Sequence, residues 1–366
     1  MTTDRPHVAV VIAPNGLGHF RRVVAVLAEL VASFAPVPSI HLVSAPGARA
    51  RMRGWVALDR IESVGPTWID GVVEPGVSWS LRVEDYHDGR LRSWVDRLRA
   101  HGAVTGADLV VSDNLGGTLA VRPDAVLMGS FLWSDVLDDA YRGDPAVDAF
   151  VADERALLDA HRPPMICVAD MALPGVLART EAVGVGWMAD RVAPADPAAT
   201  LVAVLGGRTG GADRLLAPAA RALVARGVAV SVDRGLADDV PDAAVFAYED
   251  EAWSHVGAVV CRPGMGTLTE CVARHIPVLT MYEAGNSELA HNGEAISRLG
   301  IGTDLGVEPD PTSVAELTVA LLADRGNTIR RRMNALNTDG IAQAASFLAG
   351  RLGLQPIDRR RDGARS

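Results

Sequence analysis

Short runs of consecutive apolar residues alternate along this chain with segments whose apolar positions recur at helical spacing. His7–Ala13 reads as a strand buried on both faces, and Pro14-Asn15-Gly16 closes it. Phe20–Phe34 then places Val23, Val24, Leu27, Leu30 and Val31 on one helical face. Ile40–Val43, Leu109–Ser112, Ala125–Met128 and Met165–Val168 read as further strands, with helical or loop segments between them. Ala189–Thr200, rich in Ala, Pro and Asp, reads as a linker. After it the pattern restarts: strand Leu201–Leu205, glycine loop Gly206–Gly211, helix Leu215–Arg226, then strands Val228–Val232, Ala244–Ala247, Ala258–Cys261 and Val278–Met281. Pro311–Leu322, Thr328–Leu336 and the Ala-rich Ile341–Leu352 read as helices.

Strands separated by helices predict βαβ units and parallel sheets, hence an α/β fold. Two such series predict Rossmann-like domains at 1–190 and 199–340, with a final helix and basic tail over 341–366. The final helix is free to pack back on the first domain. In open parallel sheets ligands bind beyond the carboxyl ends of the strands, so the expected ligand site lies between the two domains.

Composition changes this picture only by exclusion. The chain has 366 residues, of which 49% are hydrophobic and 22% charged, enough to bury two cores. Net charge is −10, with 45 acidic against 35 basic residues, which argues against nucleic acid as a partner. The three cysteines, Cys167, Cys261 and Cys271, form no CxxC pair, so a reducing compartment, the cytoplasm, is expected. No run approaches the roughly 20 apolar residues of a membrane span, and none resembles a signal peptide. Arg49, Arg51 and Arg53 leave peripheral membrane contact or an anionic acceptor open, with solvated surface arginines as the plainer reading.

Four segments carry candidate chemistry. Pro14-Asn15-Gly16-Leu17-Gly18-His19 joins a strand to a helix. Gly16 and Gly18 permit a tight turn and close backbone approach, but Arg21 stands where a dinucleotide fingerprint needs its third glycine, and no Gly-Lys-Ser/Thr follows. His19 at the helix start sits where the positive helix end disfavours an imidazolium, so it is a candidate proton acceptor. Asp113, at the carboxyl end of Leu109–Ser112, is the candidate to orient it; the alternatives are a capping histidine and a turn aspartate. Gly207 and Arg208 in the second glycine loop suit a diphosphate. Arg262, Gly264, Met265, Gly266 and Thr267 end a strand and open a helix, which also suits phosphate, and Glu270 one turn on can accept from a ribose diol. Glu283 to Asn292 is a polar loop suited either to sugar hydroxyls or to capping a helix.

In this pattern the chain resembles the GT-B glycosyltransferases. It is most similar to the group shared by the lipid-linked peptidoglycan N-acetylglucosaminyltransferase and the UDP-dependent glycosyltransferases. Gly264, Gly266, Thr267, Glu270, Ile276-Pro277, Glu288 and Asn292 match the group's C-terminal pattern in order. The resemblance implies two Rossmann-like domains and a nucleotide-diphospho-sugar donor, most commonly UDP-linked, acting as co-substrate rather than cofactor. It implies diphosphate at Gly264–Thr267, ribose at Glu270 and donor-sugar hydroxyls at Glu288. An N-terminal His with an Asp about a hundred residues later activates the acceptor in plant-type members, and His19 and Asp113 fit that spacing. Arg262 departs from the group's phosphate-binding His, and Leu289 from its Gln. The two-glutamate pattern of retaining relatives is absent, which implies inversion. The absence of Asp-x-Asp near the glycine loops fits metal independence.

Gly16, Gly18, His19 and Arg22 also resemble the UDP-sugar hydrolase of pseudaminic acid synthesis, in which the same His activates water. A non-catalytic nucleotide-sugar-binding accessory protein is the reading of a different class. The acceptor stays unassigned: Trp55, Trp68, Trp79, Trp94 and Trp133 read either as core or as an acceptor-stacking wall.

Overall fold

A computed structural model of the chain describes residues 5–14, 16–73, 83–87, 90–206, 212–324 and 326–357. The chain divides into two compact units, Met1–Met188 with Asp339–Ser366, and Ala189–Thr338. Each is built on a parallel sheet, so the fold is α/β with two Rossmann-like units.

The first sheet has seven strands in the order Thr67–Ile69, Ser39–Val43, His7–Ile12, Leu109–Asp113, Val126–Met128, Pro164–Val168 and Glu181–Val185. Its central strand is apolar from Val8 to Ile12 because helices cover both faces; Val8 to Val11 have no exposed surface. The strand order reverses between His7–Ile12 and Leu109–Asp113, where Ile12 pairs with Asp113. Crossovers leave this point in opposite directions, which opens a crevice above the carboxyl ends of these two strands.

The second sheet repeats the arrangement with six strands: Ala244–Val245, Val230–Val232, Leu201–Leu205, Val256–Cys261, Val278–Tyr282 and Gly302–Val307. Here the order reverses between Leu201–Leu205 and Val256–Cys261. Within Ala189–Thr200, read as a linker, two residues bond to this unit. Ala195 donates its N–H to Arg274 O at 2.9 Å, and Asp196 to Ser254 O at 3.2 Å.

Three strands of these two sheets had no clear sequence signal: Thr67–Ile69, Glu181–Val185 and Gly302–Val307. All three are edge strands, so they lack the two-sided burial that produces a continuous apolar run. The first helix runs Leu17–Ser33, three residues earlier than periodicity suggested, because Gly16 turns the chain at φ 84° and lets the helix begin at once. The last helix, Gly340–Arg351, packs along Leu17–Ser33 in the first unit. Gly340 seats so close to Gly186 that an added Cβ would lie 2.1 Å from its carbonyl oxygen. No helix among the described residues is long and apolar enough to cross a membrane.

Candidate active site

In the first unit the site forms at the strand-order reversal. His19 is on the first turn of the helix that leaves His7–Ile12, and Asp113 ends the neighbouring strand. His19 Nδ1 and Asp113 Oδ2 are 2.7 Å apart. Arg22, one turn further along the helix, donates through Nη2 to the other oxygen, Oδ1. Asp113 has no exposed surface. Burial alone pushes its carboxyl up, but Arg22 and His19 outweigh burial and hold it below the ordinary carboxylate range. The resulting carboxylate accepts Nδ1–H. Nε2 is then the ring nitrogen with a lone pair, on an imidazole whose side chain keeps 17% of its surface exposed.

The turn after Asp113 is fixed from below. Ser112 Oγ donates to Leu115 O at 2.9 Å and accepts from Thr118 Oγ1 at 2.8 Å. Asn114 takes a left-handed φ of 53° with its amide buried and unpartnered. It packs so tightly on Gly129 that a Cβ there would fall 1.5 Å from Asn114 Oδ1. Such strain is sustained only where the surrounding structure over-determines it.

In the second unit Arg262 follows Val256–Cys261 and Glu283 follows the adjacent strand Val278–Tyr282. Arg262 Nε donates to Glu283 Oε2 at 2.9 Å, and Nη2 donates to Oε1. Arg262, expected as a diphosphate contact, is 8% exposed here and its charge is met by a carboxylate. Gly206 N donates to Asp233 Oδ2 at 2.7 Å, and Tyr248 OH donates to Oδ1. Gly207 and Arg208 lie outside the described residues.

Gly264 caps the helix Met265–Arg274, which has no side-chain cap and no acidic residue in its first turn. The amides of Met265, Gly266 and Thr267 thus face outward at a positive helix end, a setting that binds anions. The helix opens two residues before Thr267, its expected start. Asn292 is fully buried and donates Nδ2 to Pro263 O at 2.9 Å. Through this bond it braces the glycine turn from beneath. Glu270 meets Arg274 Nε at 3.3 Å, and Arg274 Nη2 meets Asp250 at 2.7 Å. Glu288 is half-buried on the first turn of Ser287–Leu299, whose cap is Asn286.

The structure thus brings His19 and Asp113 together, and gathers Gly264, Met265, Gly266, Thr267 and Asn292 around one turn. Sequence reading missed three partners: Arg22 on Asp113, Glu283 on Arg262, and Asp233 on Gly206. The signals were slight. Arg22 is three residues after His19 and so shares its helix face, and Glu283 and Arg262 each follow adjacent parallel strands directly. Of the tryptophans, Trp94 and Trp133 are buried, whereas Trp55 and Trp68 carry Arg21 and Arg49 over their rings at 5.4 and 4.7 Å. Trp79 lies outside the described residues. The three cysteines are buried and unpaired; burial pushes the Cys167 thiol up to about 11, so it is no nucleophile. Among the described residues no three His, Cys, Asp or Glu side chains gather as a metal site requires.

No family model and no curated protein matches the sequence. Solved structures do match the fold. The calicheamicin glycosyltransferase CalG4 is 17% identical with a TM-score of 0.60, over 95% of this chain and 99% of its own. UGT2 of Phytolacca americana, complexed with UDP-2fluoro-glucose and pterostilbene, is 14% identical with a TM-score of 0.66, over 96% and 100%. The glycosyltransferase VinC, in complex with DTDP, is 17% identical with a TM-score of 0.57, over 93% and 100%. The chain has the GT-B fold these proteins share.

Proposed function

We propose that the protein is an inverting glycosyltransferase that moves a sugar from a nucleotide-diphospho-sugar, UDP-linked, to an acceptor hydroxyl. The observation that carries this reading is the 2.7 Å contact between His19 Nδ1 and Asp113, with Nε2 as the basic ring atom. Nε2 takes the proton of the acceptor hydroxyl as its oxygen attacks the anomeric carbon. The bond from that carbon to the diphosphate oxygen breaks, and the nucleoside diphosphate leaves with the electron pair. Asp113 stabilises the imidazolium formed in this step. Attack on the face opposite the leaving group inverts the anomeric centre.

In the second unit the amides at Met265–Thr267 and the Thr267 hydroxyl meet the charge that develops on the leaving diphosphate. That supply of fixed dipoles is the basis for proposing that no metal ion is needed. Glu270 is assigned to the ribose diol and Glu288 to donor-sugar hydroxyls, following the family resemblance. Arg262 acts in this scheme through Glu283, holding the sheet edge on which the glycine turn stands. The ligands in the Phytolacca and VinC structures support a nucleotide donor; the second leaves thymine as the alternative base. Three buried, unpaired thiols fit a reducing compartment, and the cytoplasm is proposed as the location.

Calorimetric titration with UDP and TDP tests the donor side. Donor turnover with a panel of hydroxylated acceptors tests the chemistry. His19→Ala should lower that turnover by about 10²–10⁴-fold and leave UDP binding intact. Unchanged turnover removes His19 from the reaction. Release of UDP and free sugar at the full rate without acceptor assigns the dyad to water and makes the protein a hydrolase.

A further inference from the structure

The first unit contains a cavity of about 510 Å³ that none of the residues assigned above explains. It begins two residues after Asp113, at Leu115, and runs between the helices Arg90–Arg99 and Pro145–His161. Its wall is aromatic: Trp94, Trp133 and Phe150 line it. Gly116 and Gly117 form one side, closely packed against their neighbours. A Cβ on Gly117 would lie 2.8 Å from the Trp94 ring, and one on Gly116 would lie 2.8 Å from Glu154 Oε1.

Glu154 is the polar feature of this wall. It is 6% exposed and lines the cavity. Oε2 accepts the backbone N–H of Ser134 at 2.5 Å. The cation next to it in sequence, Arg155, is turned away to Asp138 at 3.0 Å and Asp135 at 3.7 Å. Burial pushes the Glu154 carboxyl up, against the opposing effect of Ser134. The other charged residues described on the wall are Asp96 and Asp153; no described Lys, Arg or His lines it. With no cation among its described lining residues, a buried carboxyl in an apolar cavity takes either a proton or a cation from its ligand.

We propose that this cavity binds a lipophilic ammonium, an apolar body carrying one protonated amine, and that the acceptor sugar-transfer substrate has this chemistry. The amine pairs with Glu154 while the aromatic rings contact the apolar body and the cation face-on. The ligand-class assignment stands on the cavity alone; that the ligand is the acceptor rests on the transferase reading.

The test compares 1-naphthylmethylamine with 1-naphthylmethanol, which share a ring system and differ in charge, by calorimetric titration of the full chain at neutral pH. The amine should bind about tenfold or more tightly than the alcohol. Glu154→Gln keeps the Ser134 bond and should bring the two ligands within about twofold of each other, mainly by weakening the amine. Equal or tighter binding of the alcohol by the native protein overturns the proposal, as does failure of both ligands to bind. So does a preference that survives Glu154→Gln. The native comparison needs no variant, so it decides the matter even if that substitution prevents folding. His19→Ala should retain the preference, because binding does not use the base. Loss of turnover in that variant with the preference intact separates the two proposals. A native protein that prefers the amine but transfers no sugar refutes the transferase reading and leaves the cavity assignment standing.

Discussion

His19 Nδ1 stands 2.7 Å from Asp113 Oδ2 although 94 residues separate them in sequence. Parallel pairing accounts for this. Ile12 and Asp113 are register partners, so the helix that leaves the first strand starts beside the end of the second. Arg22 approaches the same carboxylate from the next helical turn. Asp113→Asn retains the shape but removes the charge that selects the Nδ1–H tautomer. Its turnover should fall by about 10²–10⁴-fold, with UDP affinity within about twofold of native. Steady-state rates with saturating donor, together with UDP titration, check both halves.

The same carboxylate gives a pH signature. Arg22 and His19 hold Asp113 below the ordinary carboxylate range in the folded state. A depressed folded value contributes stability that is present above the unfolded value, about 3.9, and is lost as pH falls through the lower folded value. Urea unfolding of the native protein and of Asp113→Asn should therefore differ most from pH 7 down to about 4.5, with the gap narrowing below about 4. A gap that stays constant to pH 3 or widens on acidification contradicts the assigned charge state.

The sequence made the interior strands and the two glycine turns legible because both depend on local pattern. Val8–Ile12 and Val256–Cys261 are buried throughout, and their unbroken apolar runs report this directly. The edge strand Glu181–Val185 exposes most of its residues and offers no such run. His19 and Asp113 were legible as helix-start and strand-end residues, but the pairings of Arg22 and Glu283 were not. Their partners are fixed by strand order, which single-sequence periodicity does not contain. The bond from Asn292 Nδ2 to Pro263 O lay beyond local pattern for the same reason. Asn114 gave no signal, since a left-handed φ against a glycine at the end of the neighbouring strand is a tertiary constraint.

Arg262 and Glu283 form a buried bidentate pair, so the two should be strongly non-additive. Glu283→Gln strands a guanidinium that is 8% exposed and should cost about 3 kcal/mol. The double replacement Arg262→Met with Glu283→Leu leaves no uncompensated charge and should recover most of that loss. Denaturant unfolding of the three variants measures the coupling. Additive losses would mean that the pair contributes nothing as a unit.

Glu154 should shift stability in the direction opposite to Asp113. Burial raises its carboxyl in the folded state, so the folded protein binds that proton more tightly than the unfolded chain does. Stability from this group is then full below the unfolded value, about 4.3, and falls as pH rises from there through the higher folded value. Glu154→Gln removes the ionisation but keeps an oxygen for Ser134 N–H. The variant should therefore gain on the native protein as pH rises from 5 to 8, with the two closest at the acid end. Thermal unfolding in buffers across that range reads the difference. A lipophilic amine that pairs with the ionised group should reduce the gap at pH 8, since it stabilises the native protein more than the variant. A native protein that instead gains on the variant with rising pH would place a counter-ion beside Glu154 and remove the reason for a cationic ligand.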